Sequence, residues 1–219
     1  MEREIVTTAD GSDTLYMPGL DEHYHSVNGA VGESEHVFIS AGFDYCTKNQ
    51  VTVFEAGFGT GLNTLLTAVR SEKVKRLTTY ITVEKYPLSD ELISKLNYPL
   101  ILGAGSDEIF RLIHAAEWER RVRISEFFEL KKIKGDLLAD RFSEPADIIY
   151  FDAFAHSKQP EVWSIDVLER SCSLLGTGGI FVTYSARGEL KRNLKALGFE
   201  IRLLPGAAGK REMLRAIKK

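Results

Sequence analysis

The chain has 219 residues, 44% of them hydrophobic, and its formal net charge is −3 at pH 7. This length and composition can bury one sizeable core, so we expect a single domain. No apolar run approaches the ~20 residues of a membrane span, which argues against a membrane partner. The slightly acidic balance does not by itself indicate a nucleic-acid binder.

Cysteine and histidine spacing predicts neither a disulfide framework nor a metal site. Cys46 and Cys172 form no C-x-x-C pair, and the five histidines show no H-x-x-H or H-E-x-x-H spacing. The N-terminal residues lack the basic-then-apolar layout of a signal peptide. We therefore expect a cytoplasmic protein without a metal.

Charge is distributed unevenly along the chain. Residues 187–219 carry 10 Lys and Arg against 3 Asp and Glu, a local balance of +7, which leaves −10 for the remainder. Such asymmetry indicates an anionic partner near the C-terminal end. Solvated helix faces and edge strands would explain the same charges equally well.

The N-terminal segment predicts a β-hairpin followed by a helix. Strand-like runs at 5–8 and 14–16 flank an Asp-Gly dipeptide, which is a strong hairpin turn signal. Farther on, Val37, Phe38 and Ala41 recur at helical spacing and define one apolar face.

The central feature is a strand, a glycine turn and a helix. A β-branched and aromatic run at 51–54 ends at Glu55, three alternating glycines occupy 57–61, and helix-forming residues fill 62–69. The dinucleotide pattern G-x-G-x-x-G needs a third glycine where this chain has leucine, and no P-loop is present. Glu-x-Gly-x-Gly-x-Gly instead resembles the first motif of class I S-adenosylmethionine (SAM) methyltransferases. A glycine-rich turn without a ligand is the alternative.

Strands and helices then alternate. Strands are predicted at 78–83, 122–124, 127–133, 146–151, 179–184, 199–204 and 213–217. Helices are predicted at 89–96, 105–116, 160–175 and 188–196. This order predicts an α/β fold with a mostly parallel sheet covered on both faces and one antiparallel edge. We expect the seven-stranded, Rossmann-like class I SAM-methyltransferase fold with a short N-terminal hairpin and helix extension.

Four acids follow predicted strands: Glu55, Glu84, Asp136 and Asp152. Ligands of open α/β sheets bind beyond the carboxyl ends of the strands, so these side chains are candidates for a nucleoside site. We expect Glu84 to accept hydrogen bonds from ribose hydroxyls, Asp136 from the adenine amino group, and Asp152 to lie beside the transferable methyl. A single acid in such a place is more often a turn or cap residue.

A longer motif sharpens the interpretation. Residues Asp152–Trp163 resemble the D-G/A-F-A-P-x-K-x-P-x-x-W motif of the methyltransferase half of the bacterial tRNA wobble-uridine modification enzymes, the MnmC family, whose stand-alone members are called MnmD. Stretches within 24–34, 183–186 and 209–213 agree with the same family. The departure is His156, where the family commonly has proline, and we expect it to change loop stiffness rather than chemistry.

The resemblance implies methyl transfer from SAM to the primary amine of 5-aminomethyl-(2-thio)uridine at the tRNA wobble position. The bifunctional relatives also carry an FAD-dependent oxidase domain, for which this chain is too short, so we expect no FAD. The partner would be the anticodon region of tRNA, and a separate enzyme would supply the free amine. We expect a monomer in which residues 1–45 form the extension and residues 46–219 the methyltransferase domain.

Candidate site residues follow from the motifs and the resemblance. For the cofactor they are Glu55, Gly57, Phe58, Gly59, Thr60, Gly61, Asn63, Glu84, Lys85, Asp136, Asp152 and Ala153. For the substrate they are Tyr24, Ser26, Phe154, Lys158, Trp163, Tyr184, Lys210 and Arg211. The aromatic side chains would stack on bases or belong to the core, and the cationic ones would hold phosphates.

The catalytic candidate is Asp152. Its carboxylate can accept a hydrogen bond from the amine and aim the nitrogen lone pair at the methyl. Because an anion also favours the charged ammonium, the roles of orienting group and general base both stay open. Two other functions remain: SAM-dependent methylation of a small amine or a protein, and a non-catalytic SAM-fold subunit that binds RNA or a partner.

Overall fold

The computed structural model describes residues 2–219, which form a three-stranded sheet and an eight-stranded sheet. The strands of the small antiparallel sheet are β1 (Glu4–Thr7), β2 (Asp13–Met17) and β3 (Glu22–His23). Those of the large sheet are β4 (Gln50–Ala56), β5 (Leu77–Glu84), β6 (Arg121–Arg123), β7 (Phe128–Lys134), β8 (Ala146–Phe151), β9 (Leu175–Thr183), β10 (Phe199–Pro205) and β11 (Glu212–Lys218).

Nine helical segments cover these sheets within the described residues. They are α1 (Ala30–Ser34), the π-helix Glu35–Phe43, α2 (Leu62–Val74), α3 (Asp90–Ile93), α4 (Tyr98–Leu102), α5 (Ser106–Ala115), the 3₁₀ helix Pro160–Trp163, α6 (Ile165–Cys172) and α7 (Gly188–Ala196). Across residues 2–219, no helix has the length and apolar character needed to cross a membrane.

The large sheet has the strand order β10-β11-β9-β8-β4-β5-β7-β6. The five strands from β9 to β7 are parallel to one another, as predicted. Two details differ from the prediction. The antiparallel strand β11 lies between β9 and β10 rather than at the edge, and β6 adds an eighth, antiparallel strand beside β7.

The predicted helix 160–175 is wrong in its extent. Ser164 has φ −62° and ψ 154°, an extended conformation that separates the 3₁₀ helix from α6. The helix ends at Cys172, and Leu175 already begins β9. Likewise, the predicted helix 89–96 is reduced to α3, and α4 is an additional short helix that was not predicted.

The two faces of the large sheet carry separate apolar cores. Successive side chains of a strand point to opposite faces, so Val53 and Tyr150 join the core under the π-helix, α2 and α5, whereas Phe54 and Phe151 join the core under α6 and α7. Fully burying one side chain of this kind contributes about 1.5–3 kcal/mol. The packed strands form a firm base for the loops at their carboxyl ends.

The N-terminal sheet packs onto this base. Leu15 is fully buried in the same core as the π-helix residue Phe38. The backbone N–H of Asp13 donates to the Asn97 amide oxygen at 2.9 Å, and the Asp13 carboxylate accepts from the Asn97 N–H at 3.1 Å. The division of the chain at residues 45 and 46 stays a prediction.

Candidate active site

A cavity of about 310 Å³ opens at the carboxyl ends of β4, β5 and β8. The register pairs Ala56 with both Val83 and Phe151, so the residues that follow these strands lie side by side. The cavity is lined by residues 57–59 of the glycine turn, by residues 83–86 and 152–154, and by N-terminal residues that include Arg3, Tyr24 and His25. The sheet topology therefore brings distant parts of the chain to one site.

The glycine turn adopts a backbone that other residues would strain. Gly57 has φ +99°, and a Cβ there would lie 2.9 Å from the backbone oxygen of Asp152. At Gly59, with φ +52°, a Cβ would lie 3.1 Å from the Tyr24 ring. Because glycine tolerates positive φ and lacks a side chain, the turn can approach its neighbours and the cavity closely.

Glu84 fastens this turn to the end of β5. Its carboxylate accepts the N–H of Gly59 at 3.0 Å and the N–H of Tyr86 at 2.7 Å. The side chain lines the cavity together with Lys85 and Asp136. Lys85 pairs with Asp136 at 2.7 Å, and its hydrogen bond lowers the pKa of the Asp136 carboxyl.

Asp152 lines the cavity where the glycine turn meets α2. Asn63, in the first turn of α2, donates from Nδ2 to Asp152 Oδ2 at 2.8 Å. Burial raises the pKa of the Asp152 carboxyl to about 7, against the lowering effect of the Asn63 hydrogen bond. A group with this pKa can take up or release a proton near neutral pH.

Three predicted cofactor residues do not line the cavity. Glu55 is fully buried beneath the turn, where Oε2 accepts from Thr82 at 2.7 Å and from Thr64 at 3.2 Å. Burial raises the pKa of Glu55 to about 8. Thr60 is also buried, and its hydroxyl accepts a hydrogen bond from Tyr98. Gly61 has φ +75°, and a Cβ there would lie 3.0 Å from Nε2 of His114.

The other predicted cofactor residues come together around the cavity. They are Gly57, Phe58, Gly59, Asn63, Glu84, Lys85, Asp136, Asp152 and Ala153. Phe58 has little exposed surface because its ring packs on His114 and Trp118.

Of the predicted aromatic substrate residues, Tyr24 and Phe154 line the cavity and pack edge to face, with ring centres 5.0 Å apart. Trp163 is 3% exposed and donates from Nε1 to the Phe154 oxygen at 2.8 Å. The hydroxyl of Tyr184 donates to the Ala153 oxygen at 2.9 Å. Trp163 and Tyr184 therefore hold the loop after β8, and Trp163 belongs to the core.

The predicted polar substrate residues are more scattered. Lys158 contacts Asp21 at 3.3 Å, and the Ser26 hydroxyl accepts the N–H of Asn28. Lys210 pairs with Glu33, whereas Arg211 is exposed. His156, at the position where the family commonly has proline, lies 3.6 Å from the carboxylate of the α7 residue Glu189.

Several cavity residues were not assigned by sequence reasoning. Arg3 donates from Nε to the Tyr24 hydroxyl and from a terminal nitrogen to the Tyr86 oxygen, each at 3.0 Å. His25 also lines the cavity, and burial lowers its pKa to about 4. The motif stretch 24–34 contained a signal for His25 and Glu33, but no sequence pattern marked Arg3.

No group of three His, Cys, Asp or Glu side chains among residues 2–219 is arranged to hold a metal ion.

Comparisons with known proteins indicate the same kind of ligand as the glycine turn and the strand-end acids do. Residues 112–219 match the model of a family described as S-adenosyl-L-methionine-dependent methyltransferases. The chain is 31% identical over 206 residues to the "tRNA 5-methylaminomethyl-2-thiouridine biosynthesis bifunctional protein MnmC" of Campylobacter hominis, and 32% identical over 230 residues to that of Cupriavidus metallidurans. These matches cover 92% and 96% of this chain but only 31% and 33% of the relatives. The chain thus spans about a third of the length of these relatives.

The fold is similarly matched. The crystal structure of MnmC2 from Aquifex aeolicus superposes with a TM-score of 0.80 at 26% identity, over 100% of this chain and 70% of that one. The sugar N-methyltransferase KedS8 from Streptoalloteichus superposes over 86% of this chain with a TM-score of 0.52 at 11% identity, a likeness of fold alone. The predicted class I fold is confirmed. Residues 112–219 are thus similar to the S-adenosyl-L-methionine-dependent methyltransferases, and the chain as a whole is similar to about a third of the bifunctional MnmC proteins.

Proposed function

We propose that this protein transfers a methyl group from SAM to the primary amine of 5-aminomethyl-(2-thio)uridine at the wobble position of tRNA. The observation that carries the proposal is the Asp152 carboxylate, which meets the cavity beside the glycine turn and is held by Asn63. Similarity to the MnmC relatives over more than nine-tenths of the chain supports the same reaction.

The cavity residues fit SAM in shape and in charge. A side chain at Gly57 or Gly59 would collide with neighbouring atoms and narrow the turn. Glu84 would accept hydrogen bonds from ribose hydroxyls, and Asp136 from the adenine amino group. The acids of this wall suit a ligand with positive charge better than they suit a pyrophosphate. When bound, SAM supplies a methyl group on a cationic sulfur, which the neutral amine takes over as that sulfur becomes a neutral thioether.

The protein must prepare the amine for this step. A primary alkylamine resembles the lysine side chain, whose reference pKa is about 10.4, and arrives mainly as ammonium. Asp152 binds the ammonium, accepts one of its protons and leaves a lone pair on nitrogen. The methylated product is again a cation, so one proton is released to Asp152 for each methyl group transferred. Holding the reactants in line contributes at most ~7–11 kcal/mol to lowering the barrier.

We propose the anticodon region of tRNA as the partner and a separate enzyme as the source of the free amine. The described residues contain one α/β core, and the cavity at its edge is assigned to SAM. We also propose a cytoplasmic location, because the proposed substrate is tRNA.

The decisive experiment incubates purified protein with SAM and with tRNA from cells that lack the modification. Mass spectrometry of the digested nucleosides should show conversion of the 5-aminomethyl to the 5-methylaminomethyl nucleoside. Isothermal titration with SAM alone separates cofactor binding from tRNA recognition. Methylation of free amines without tRNA would point to a small-molecule enzyme, and failure to bind SAM would exclude the methyl-transfer reaction.

A further inference from the structure

Glu33 is a nearly buried acid that pairs with a lysine from the other end of the chain. It lies in α1 and is 8% exposed. Its Oε2 accepts the backbone N–H of Ser26 at 2.9 Å, and its Oε1 forms an ion pair with the ammonium of Lys210. Lys210 comes from the loop between β10 and β11, so this pair joins the N-terminal segment to the last two strands.

Contacts continue from this pair toward Asp152. The Lys210 ammonium lies 4.0 Å from the centre of the Tyr184 ring. The hydroxyl of Tyr184 donates to the backbone oxygen of Ala153, the residue directly after Asp152. Three segments that are distant in sequence are thereby tied to the residue beside the catalytic candidate.

The surroundings of Asp152 contain charges of both signs. Asn63 from α2 donates a hydrogen bond to Asp152. The charged or titratable groups that interact with it electrostatically are Glu55 from β4, Glu33 from α1, Lys210 from the β10–β11 loop and Tyr184, which follows β9. After the dominant effect of burial, the charge of Glu33 raises the pKa of Asp152 and the charge of Lys210 lowers it. The cavity residue His25 has its pKa lowered to about 4 by burial and is neutral near pH 7.

We propose that Glu33 and Lys210 form a charge pair beside the methyl-acceptor site, in which Glu33 is a positioning residue that holds Lys210 against Tyr184 and balances its charge next to Asp152. The inference rests on the proposed function and assigns Lys210 to the site itself rather than to the tRNA backbone. An ammonium group that approaches Asp152 would be repelled by an uncompensated Lys210. Glu33 removes that repulsion and holds the lysine against Tyr184.

The test measures the pKa of Asp152 directly, without reference to activity. Protein labelled with ¹³C at aspartate carboxyl carbons is titrated by NMR, and the Asp152 signal is assigned by its loss in Asp152→Asn. Removing the negative charge with Glu33→Gln should lower the pKa of Asp152, and removing the positive charge with Lys210→Met should raise it, each by roughly half a pH unit or more. The double variant should return the pKa toward the wild-type value.

Charge-preserving and distant changes serve as controls. Lys210→Arg keeps the positive charge and should leave the Asp152 titration close to that of the wild type. The exposed pair Glu91 and Lys95, which does not face Asp152, should give no shift when changed to Gln and Met. Circular dichroism checks that each variant folds, and the two Lys210 variants carry the comparison if Glu33→Gln does not.

Shifts in the same direction, or none in either charge-removing variant, would overturn the proposal. The acid limb of tRNA methylation provides a second readout, which should move with the measured pKa. If the wild type does not methylate tRNA but the two substitutions shift the pKa of Asp152 in the expected directions, the charge pair stands and the proposed substrate fails. If methylation is robust and the titration is unmoved, the charge pair fails and the proposed function stands.

Discussion

At the scale of single residues, Asp152 combines burial with access to the cavity. One carboxylate oxygen accepts from Asn63, and the residue keeps some exposure to the space where a ligand would lie. Burial disfavours the charged carboxylate, and this raises its affinity for a proton. Both properties suit a group that receives a proton from an ammonium ion.

The Asp152→Asn substitution preserves size but removes the charge and the proton-accepting oxygen. We expect the turnover rate to fall by roughly 100-fold or more, in the range typical of general bases. SAM affinity should change much less, because Glu84 and Asp136 remain. Single-turnover rates and calorimetric SAM binding check this, and equal losses in both would make Asp152 a cofactor-binding residue.

The same carboxyl predicts how the rate depends on pH. Asp152 must be deprotonated to accept a proton, so the rate should fall as pH falls through about 7. Deprotonation of free amine also favours high pH, which makes the comparison with Asp152→Asn essential. Single-turnover rates between pH 5.5 and 9, roughly, measure the profile. An acid limb of unchanged position in the variant would assign the titration to another group.

The burial of Glu55 leads to a prediction about protein stability rather than about the reaction rate. Its pKa is about 8 in the folded protein and near 4.5 when unfolded, so the folded state holds the proton more tightly. This contribution is fully present below pH 4.5 and is lost as pH rises to about 8. Glu55→Gln should therefore gain stability relative to wild type between these limits, on the order of a few kcal/mol. Urea unfolding at both pH values measures the difference, and an equal gain at both would contradict it.

At the scale of elements, the strand-turn-helix unit could be predicted because its signals are local. The β-branched and aromatic run of β4 and the glycines that follow it were sufficient to place Glu55 near a strand end. Which face Glu55 occupies is a matter of pleat and register, and the structure turns it toward the hydroxyls of Thr64 and Thr82. A strand-end position therefore predicted proximity to the site but not contact with the cavity.

Side chains whose partners are distant in sequence were harder to predict. For Trp163 the sequence left base stacking and core packing both open, and in the structure its ring packs on Phe151 with centres 5.1 Å apart. Lys210 was predicted to hold a phosphate, and no local pattern indicated its ion pair with Glu33. Such contacts depend on how the N-terminal segment and the final strands meet, which no local pattern encodes.

The glycine turn gives a prediction at this scale. Gly57→Ala places a Cβ against the Asp152 backbone oxygen at a residue with φ +99°, so the turn must shift. SAM affinity should fall by about tenfold or more, since a distortion of roughly 1.4 kcal/mol is enough. Gly176→Ala is the matched control, because nothing lies within 4 Å of its added Cβ. Calorimetric titration with SAM compares the two, and equal affinities would show that the turn does not hold the cofactor.

At the scale of the whole molecule, the basic C-terminal segment does not form one surface. β11 starts beside the carboxyl end of β9 and runs antiparallel to it, toward the amino end of β9. Arg211 therefore lies near the carboxyl ends of the parallel strands, where the cavity is. Lys218 lies near their amino ends and donates to the Cys172 and Leu175 backbone oxygens. Counting charges along the sequence could not separate these two groups.

This arrangement predicts how salt affects tRNA binding. Arg211→Gln should weaken binding and reduce the slope of log affinity against log salt by roughly one phosphate contact. Lys73→Gln, in the last turn of α2 at the opposite edge, is the control and should leave the slope unchanged. Filter binding over a range of potassium chloride concentrations measures both slopes. Identical behaviour of the two variants would place the tRNA elsewhere on the molecule.

The two hydrogen bonds of Arg3 have a practical consequence for anyone who prepares this protein. They anchor the first strand at the mouth of the cavity, through Tyr24 and Tyr86. A purification tag fused ahead of Arg3 would therefore lie close to a residue that lines the cavity. Lys219, whose N–H donates to the Gly198 oxygen, lies at the other side of the sheet and is the better point of attachment.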